Sequence, residues 1–184
     1  METRALVRIA IFAAMIAVLG LAPKFDIPFA GGVPITAQTL GVMLAGVMLG
    51  PRDGALSTLL FLFVVALGAP LLAGGRGGLG VFAAPSVGFL VGWVAGAFVC
   101  GLLVRWLRGL GVFAAAMLAA IGGGIIVVYA FGAAVLAWKM NFSLLQALAA
   151  SMVFLPGDLL KALATGLIAD AVKRADPAGK VTAL

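Results

Sequence analysis

The segment Pro156-Gly157-Asp158-Leu159-Leu160-Lys161 places an acid and a base three residues apart in an otherwise apolar stretch. At that spacing the two side chains share one face of a helix. An ionised group sunk in hydrocarbon costs about 2.5–3.5 kcal/mol on insertion scales, so such a pair is rarely idle. Pro156 sits near a helix start, where free N–H groups and the positive dipole end favour the Asp158 carboxylate. Three readings follow: a substrate site in the outer half of a bundle, a proton relay, or an ion pair that neutralises itself and fixes packing. A relay needs several carboxylates along a path, yet Asp170 falls near the cytoplasmic end of the segment, and Asp26 and Asp53 fall in loops. The substrate site is the reading taken forward, with the packing pair as its rival.

An acceptor beside a donor suits a ligand that presents N–H and C=O side by side, such as a cyclic urea or amide. Arg76, within the glycine-rich run from Ala73 to Gly80, is placed to take a ligand carboxylate. A second polar, glycine-containing segment runs from Lys24 to Gln38. Glycines in both segments permit positive φ and let backbone N–H groups approach a ligand. The aromatic residues Phe25, Phe29, Phe82, Tyr129, Trp138 and Phe142 are available to cover an apolar ligand body, although each alone is more ordinarily a core or interface residue. The candidate substrate-binding set is therefore Asp158, Lys161, Arg76, Gln38 and Tyr129.

Several function classes are disfavoured. The chain has no histidine and a single cysteine, Cys100, so the commonest metal ligand and catalytic base is missing and no intrachain disulfide can form. No paired intramembrane carboxylates and no activated nucleophile accompany Asp158, which argues against an enzyme, and no catalytic residue, metal or cofactor is expected. Neither glycine-rich segment is followed by Gly-Lys-Ser/Thr, so the chain itself should not hydrolyse ATP. The net charge of +6 does not point to nucleic acid, because the basic residues are scattered at the edges of apolar blocks.

Those blocks are the elements that must position the pair. Of the 184 residues 65% are hydrophobic and 10% charged, far from the polar surface a soluble domain needs. The pattern predicts an all-α integral membrane protein: a six-helix bundle in membrane lipid, with ordered outer loops and residues 1–184 forming one domain. The predicted spans are approximately 5–22, 36–50, 54–70, 86–104, 111–137 and 157–172. The first block is long enough to be a span rather than a removed signal. Pro51-Arg52-Asp53 reads as a tight turn, and 139–156 reads either as the start of a long, broken sixth span or as a surface helix. In this arrangement Arg4, Arg8, Arg52, Arg105, Arg108, Lys173, Arg174 and Lys180 share one side, with Lys24, Arg76 and Lys139 on the other and Lys161 within a span. The positive-inside rule then puts both termini in the cytoplasm of a cell-membrane protein. Small residues one turn apart, at Ala10/Ala14, Ala13/Ala17, Gly46/Gly50 and Gly88/Gly92/Gly96, mark close helix contacts. The glycine series is expected to pack internally. The alanine face of the first helix serves either internal packing or an external partner.

Taken together in their order and spacing, Val33-Pro34-Ile35-Thr36-Ala37-Gln38-Thr39-Leu40, Leu49-Gly50-Pro51-Arg52, Gly68-Ala69-Pro70, Ala73-Gly74-Gly75 through Gly80, and Phe154-Leu155-Pro156-Gly157-Asp158-Leu159-Leu160-Lys161 resemble the BioY family. These are the biotin-binding S components of energy-coupling factor (ECF) vitamin transporters, and the similarity runs from about residue 8 to residue 173. The resemblance implies high-affinity capture of biotin from outside, with a transmembrane T component and two ATP-binding cassette ATPases supplying energy. It implies biotin head-group contacts at Asp158 and Lys161, and a T-component docking face at Ala10 and Ala14. Where relatives typically read Gly-Pro-Thr-Gly-Gly-Tyr, this chain has Ala84-Pro85-Ser86-Val87-Gly88-Phe89, so a tyrosine hydroxyl is absent at Phe89. An S component for another vitamin, or a chain that moves biotin unaided, are the alternatives.

Overall fold

The computed structural model describes residues 3–22, 25–26 and 34–176, with backbone only at 25–26 and 34–35. Lys24, Phe29 and Lys180 lie outside the described residues, as does most of the Lys24–Gln38 segment. The elements are α1 (Thr3–Leu19), β1 (Phe25–Asp26), β2 (Pro34–Ile35), α2 (Gln38–Leu49), α3 (Pro51–Ala66), α4 (Val87–Trp106), α5 (Val112–Ala119), α6 (Val128–Met140), α7 (Leu144–Ser151) and α8 (Leu155–Ala175). A π-helical stretch, Ala120–Val127, joins α5 to α6 without a break, and a 3₁₀ turn, Met152–Phe154, joins α7 to α8. The described residues form six helical rods plus a two-stranded antiparallel ladder that pairs Phe25 with Ile35.

Three rods, Val87–Trp106, Val112–Met140 and Leu144–Ala175, are long and apolar enough to cross a membrane. The chain is a helical membrane protein. Helix α2 is different: it is short, and nearly every one of its residues is buried. A helix apolar on all sides belongs at the centre of a bundle, and α2 packs against α1, α3, α4 and α8. Its start meets the ends of α1 and α3, since Gly20 lies against the Leu71 carbonyl and the Gln38 amide. Its other end meets the start of α3 and the end of α4, where Gly50 abuts the Arg105 guanidinium and Gly101 abuts Pro51. Gly166 of α8 lies against Phe113 at the start of α5. Hence Asp158 sits at one end of the bundle, while Arg52, Arg105, Arg108, Lys173 and Arg174 gather at the other.

Some boundaries differ from the sequence expectation. Pro51, Arg52 and Asp53 form the first turn of α3 rather than a connector, because proline suits that position and Asp53 favours the dipole end. The reversal falls on Gly50 instead, at φ 85°, a conformation costly for residues with a Cβ. Gly50 is thus a turn residue and not the second member of a packing face. The stretch 139–156 is a short helix joined to α8: Asn141 ends α6 in the left-handed region, and Ser143 and Gln146 form a capping box that starts α7. The series Gly88/Gly92/Gly96 does pack internally, facing the carbonyls of Phe131, Val128 and Gly123 respectively.

Candidate functional site

Asp158 lies in the first turn of α8 and is 4% exposed. The leucines beside it point away: Leu159, Leu160 and Leu163 are exposed on the outer face of the helix. The acid therefore faces the bundle, against polar residues of α2 and α6. Its Oδ1 accepts from Lys161 Nζ at 2.8 Å and from Thr39 Oγ1 at 3.2 Å, and its Oδ2 accepts from the Tyr129 hydroxyl at 2.7 Å. Lys161 Nζ also donates to Thr39 Oγ1 at 2.9 Å and to the Thr36 carbonyl at 2.6 Å. An ammonium has three hydrogens, so all those of Lys161 have acceptors.

Tyr129, which reaches the carboxylate from α6, stands just after the π-helical stretch. Such stretches are rare and cluster at functional sites. Here Gly122, Gly123 and Gly124 let the widened turns lie against Leu103, Cys100 and Met43. Phe89, the position without a hydroxyl, packs edge-on against Tyr129 and Phe154, with centroids 6.4 and 6.0 Å away.

Gln38 is wholly buried and its amide joins three segments. Its Nε2 donates to the Ile16 carbonyl of α1 at 3.2 Å and to the Leu71 carbonyl at 3.1 Å, and its Oε1 accepts from the Ala73 N–H at 3.0 Å. The glycine-rich connector is held as a compact loop by paired hydrogen bonds between Leu72 and Arg76, with Gly74 and Gly75 at positive φ. Half-buried Arg76 donates from Nε to the Ala73 carbonyl at 3.3 Å. Gln38 and Arg76 share a small cavity with Thr36, Leu72, Ala73, Ser86, Phe89, Leu90 and Trp93; its volume of about 30 Å³ suits water more than a ligand. Thr36 joins this cavity to the ion pair, since its carbonyl holds Lys161.

The structure thus gathers Asp158, Lys161, Tyr129, Gln38 and Arg76 at one end of the bundle. It does not gather all the aromatics: Trp138 is exposed, Phe82 lines an apolar groove between α1, α3 and α4, and Phe142 lines a hollow beside α7. Thr39 was missed by sequence reasoning. Its only signal was its place in the polar run that opens α2, because the contact that matters is made across the fold to α8. Ala10 and Ala14 are exposed on α1, while Ala13 is buried. Among the described residues no cluster of potential metal ligands occurs.

A buried acid–base pair at one end of an apolar six-rod bundle marks the candidate functional site of a membrane protein. Comparison with known proteins gives the family: the BioY family model matches residues 1–178, and the chain belongs to that family. The chain is 50% identical over 177 residues to the biotin transporter BioY of Rhizobium etli, covering 94% of each protein. It is 48% identical to the biotin transporter BioY of Rhodobacter capsulatus, covering 92% of this chain and 93% of that one. A crystal structure at 2.1 Å of the S-component for biotin from an ECF-type ABC transporter aligns with a TM-score of 0.87, at 33% identity and over 95% of each chain.

Proposed function

We propose that the chain is the substrate-binding S component of a biotin uptake system, and that biotin is held at the Asp158 end of the bundle. The observation that carries this is the buried Asp158–Lys161 pair, clamped by Thr39 and Tyr129. Biotin offers a ureido ring with two N–H donors and one carbonyl, an apolar bicycle and a valerate carboxylate. Asp158 accepts a ureido N–H. Lys161 keeps the carboxylate charged and reaches the ureido carbonyl by giving up the Thr36 carbonyl, the one of its acceptors that belongs to the loop preceding α2. The loop at residues 74–80 closes above the ligand, anchored by the bond from the Ala73 N–H to Gln38, and Arg76 takes the carboxylate.

The wider assembly follows the family. The chain, as one membrane domain, crosses the cell membrane six times with both termini in the cytoplasm. Exposed Ala10 and Ala14 let the backbone of a T component approach α1 closely, and two ATP-binding cassette ATPases supply the energy this chain has no motif to obtain. Transport rather than catalysis is its role.

The test is equilibrium binding of biotin to the detergent-solubilised protein, with riboflavin, thiamine and desthiobiotin as competitors. Asp158→Asn keeps the shape and removes the charge, and affinity should fall about 100-fold or more, the scale of a lost buried charged hydrogen bond. Unchanged affinity in this variant would return the pair to a packing role, and preference for another vitamin would overturn the biotin assignment.

A further inference from the structure

The hydrogen-bond accounting around Asp158 is unequal between its two oxygens. Oδ1 accepts from both Lys161 Nζ and Thr39 Oγ1, so both of its lone pairs are committed. Among the described residues Oδ2 accepts from Tyr129 alone. The direction of the Thr39 bonds is forced. Lys161 can only donate, so Thr39 Oγ1 accepts from it and has its single hydrogen left to give. Two acceptors lie within reach of that hydrogen, Asp158 Oδ1 at 3.2 Å and the Thr36 carbonyl at 3.4 Å. The charged and nearer one is the stronger acceptor. Thr39 is buried at the start of α2, the central helix, and its β-branched side chain has few rotamers. The hydroxyl is therefore held still.

From this geometry we infer that Thr39 is the positioning residue of the site: by occupying Asp158 Oδ1 together with Lys161, it leaves Oδ2 as the one carboxylate oxygen open to the ligand and restricts recognition to a single N–H donor. Nothing in the local sequence marks Thr39 for this. It acts through Asp158 and need not touch the ligand. Without its hydroxyl, Oδ1 regains an open lone pair, the carboxylate can turn about its last bond, and either oxygen can receive a donor. Affinity then falls moderately, and the ability to tell one ligand nitrogen from the other falls more.

This inference rests on biotin being the ligand, and the experiment separates the two claims. The probes are biotin and the two analogues methylated singly at one or the other ureido nitrogen, each titrated into the intact solubilised protein. The wild-type chain should bind biotin and reject one monomethyl analogue about 30-fold more strongly than the other, the scale of one charged hydrogen bond. Thr39→Val, which preserves shape without the hydroxyl, should bring the two analogues within about threefold of each other. Thr39→Ala carries the same expectation should the valine variant not fold. Thr39→Ser restores the hydroxyl and should restore the discrimination. A parallel loss of affinity for all three probes, with their ratios kept, would make Thr39 a packing residue only and overturn the inference. So would equal binding of both analogues by the wild type, or a serine variant that behaves like valine. A wild-type chain that binds no biotin would overturn the biotin reading itself.

Discussion

Two i-to-i+3 or i-to-i+4 ion pairs lie on the same helix, and their surroundings separate them. Arg174–Asp170 is at the exposed end of α8, with the arginine side chain 79% exposed, and a pair of that kind contributes a few tenths of a kcal/mol. Asp158–Lys161 has side chains 5% and 16% exposed, so its partners must replace water completely. Removing Lys161 alone, as Lys161→Met, leaves a buried carboxylate with Thr39 and Tyr129 but no counter-charge, and should cost about 3–5 kcal/mol of stability. Adding Asp158→Asn should recover most of that loss in thermal unfolding of the purified protein, while biotin binding stays absent. Binding that returns with stability would assign the pair to packing. Tyr129→Phe should leave the fold intact and weaken biotin binding about tenfold, since one donor to a charged acceptor is lost. Asp158 and Lys161 were legible in the sequence because a charge inside a leucine-rich run has no ordinary explanation. Thr39 was not, because a threonine near a helix start is commonplace, and only the meeting of α2 with α8 gives it a charged neighbour. Gln38 was legible as a polar residue in an important segment; that its amide ties α1 and the Leu71–Ala73 connector to α2 depends on contacts no local pattern encodes.

The elements themselves were largely readable, since apolar blocks of sufficient length have few alternatives in a membrane. The misreadings lie at their ends. Pro51-Arg52-Asp53 looks like a turn by composition, yet proline and aspartate are also first-turn residues, and the positive φ of Gly50 makes the reversal. The π-helical stretch was hidden because Ala120–Val127 is as apolar as its flanks, and hydropathy carries no information about hydrogen-bond register. Gly122-Gly123-Gly124 was the available clue. This stretch and the α4 glycines form one contact, which sets where Tyr129 stands. A side chain at Gly96 would lie 2.7 Å from the Gly123 carbonyl and 2.8 Å from Val128. Gly96→Leu should therefore push α4 from α6, lower the thermal midpoint by an amount equivalent to about 1–3 kcal/mol, and weaken biotin binding by displacing Tyr129. Gly157 gives the opposite sign. A Cβ there meets nothing within 4 Å and its φ is not positive, so Gly157→Ala should stabilise α8 by up to about 1 kcal/mol through helix propensity alone. The two glycines separate close approach from simple tolerance, and a stabilised Gly96→Leu protein would contradict the packing described for α4.

For the whole molecule, the distribution of charge and the placement of the Asp158–Lys161 pair follow the same axis. Arg52, Arg105 and Arg108 gather with Lys173 and Arg174 at the end where the described part of the chain starts and finishes, while Arg76 and Lys139 belong to the end that holds Asp158. Lys139 is fixed there by donating to the Ala83 carbonyl at 2.7 Å, with Trp138 exposed beside it as an interfacial aromatic. If the basic end faces the cytoplasm, the Asp158–Lys161 pair lies toward the outside, where the proposed capture of biotin needs it. This is open to a direct check, because Cys100 is buried and should give no background with a membrane-impermeant maleimide. Leu79 is 75% exposed at the Asp158 end, and a side chain at Gly109 meets nothing within 4 Å at the basic end. Leu79→Cys should be labelled in intact cells, and Gly109→Cys only after the membrane is permeabilised. Labelling of both from outside would break the six-span arrangement. The reverse pattern would turn the site toward the cytoplasm, and a pair so placed could not capture biotin from the medium.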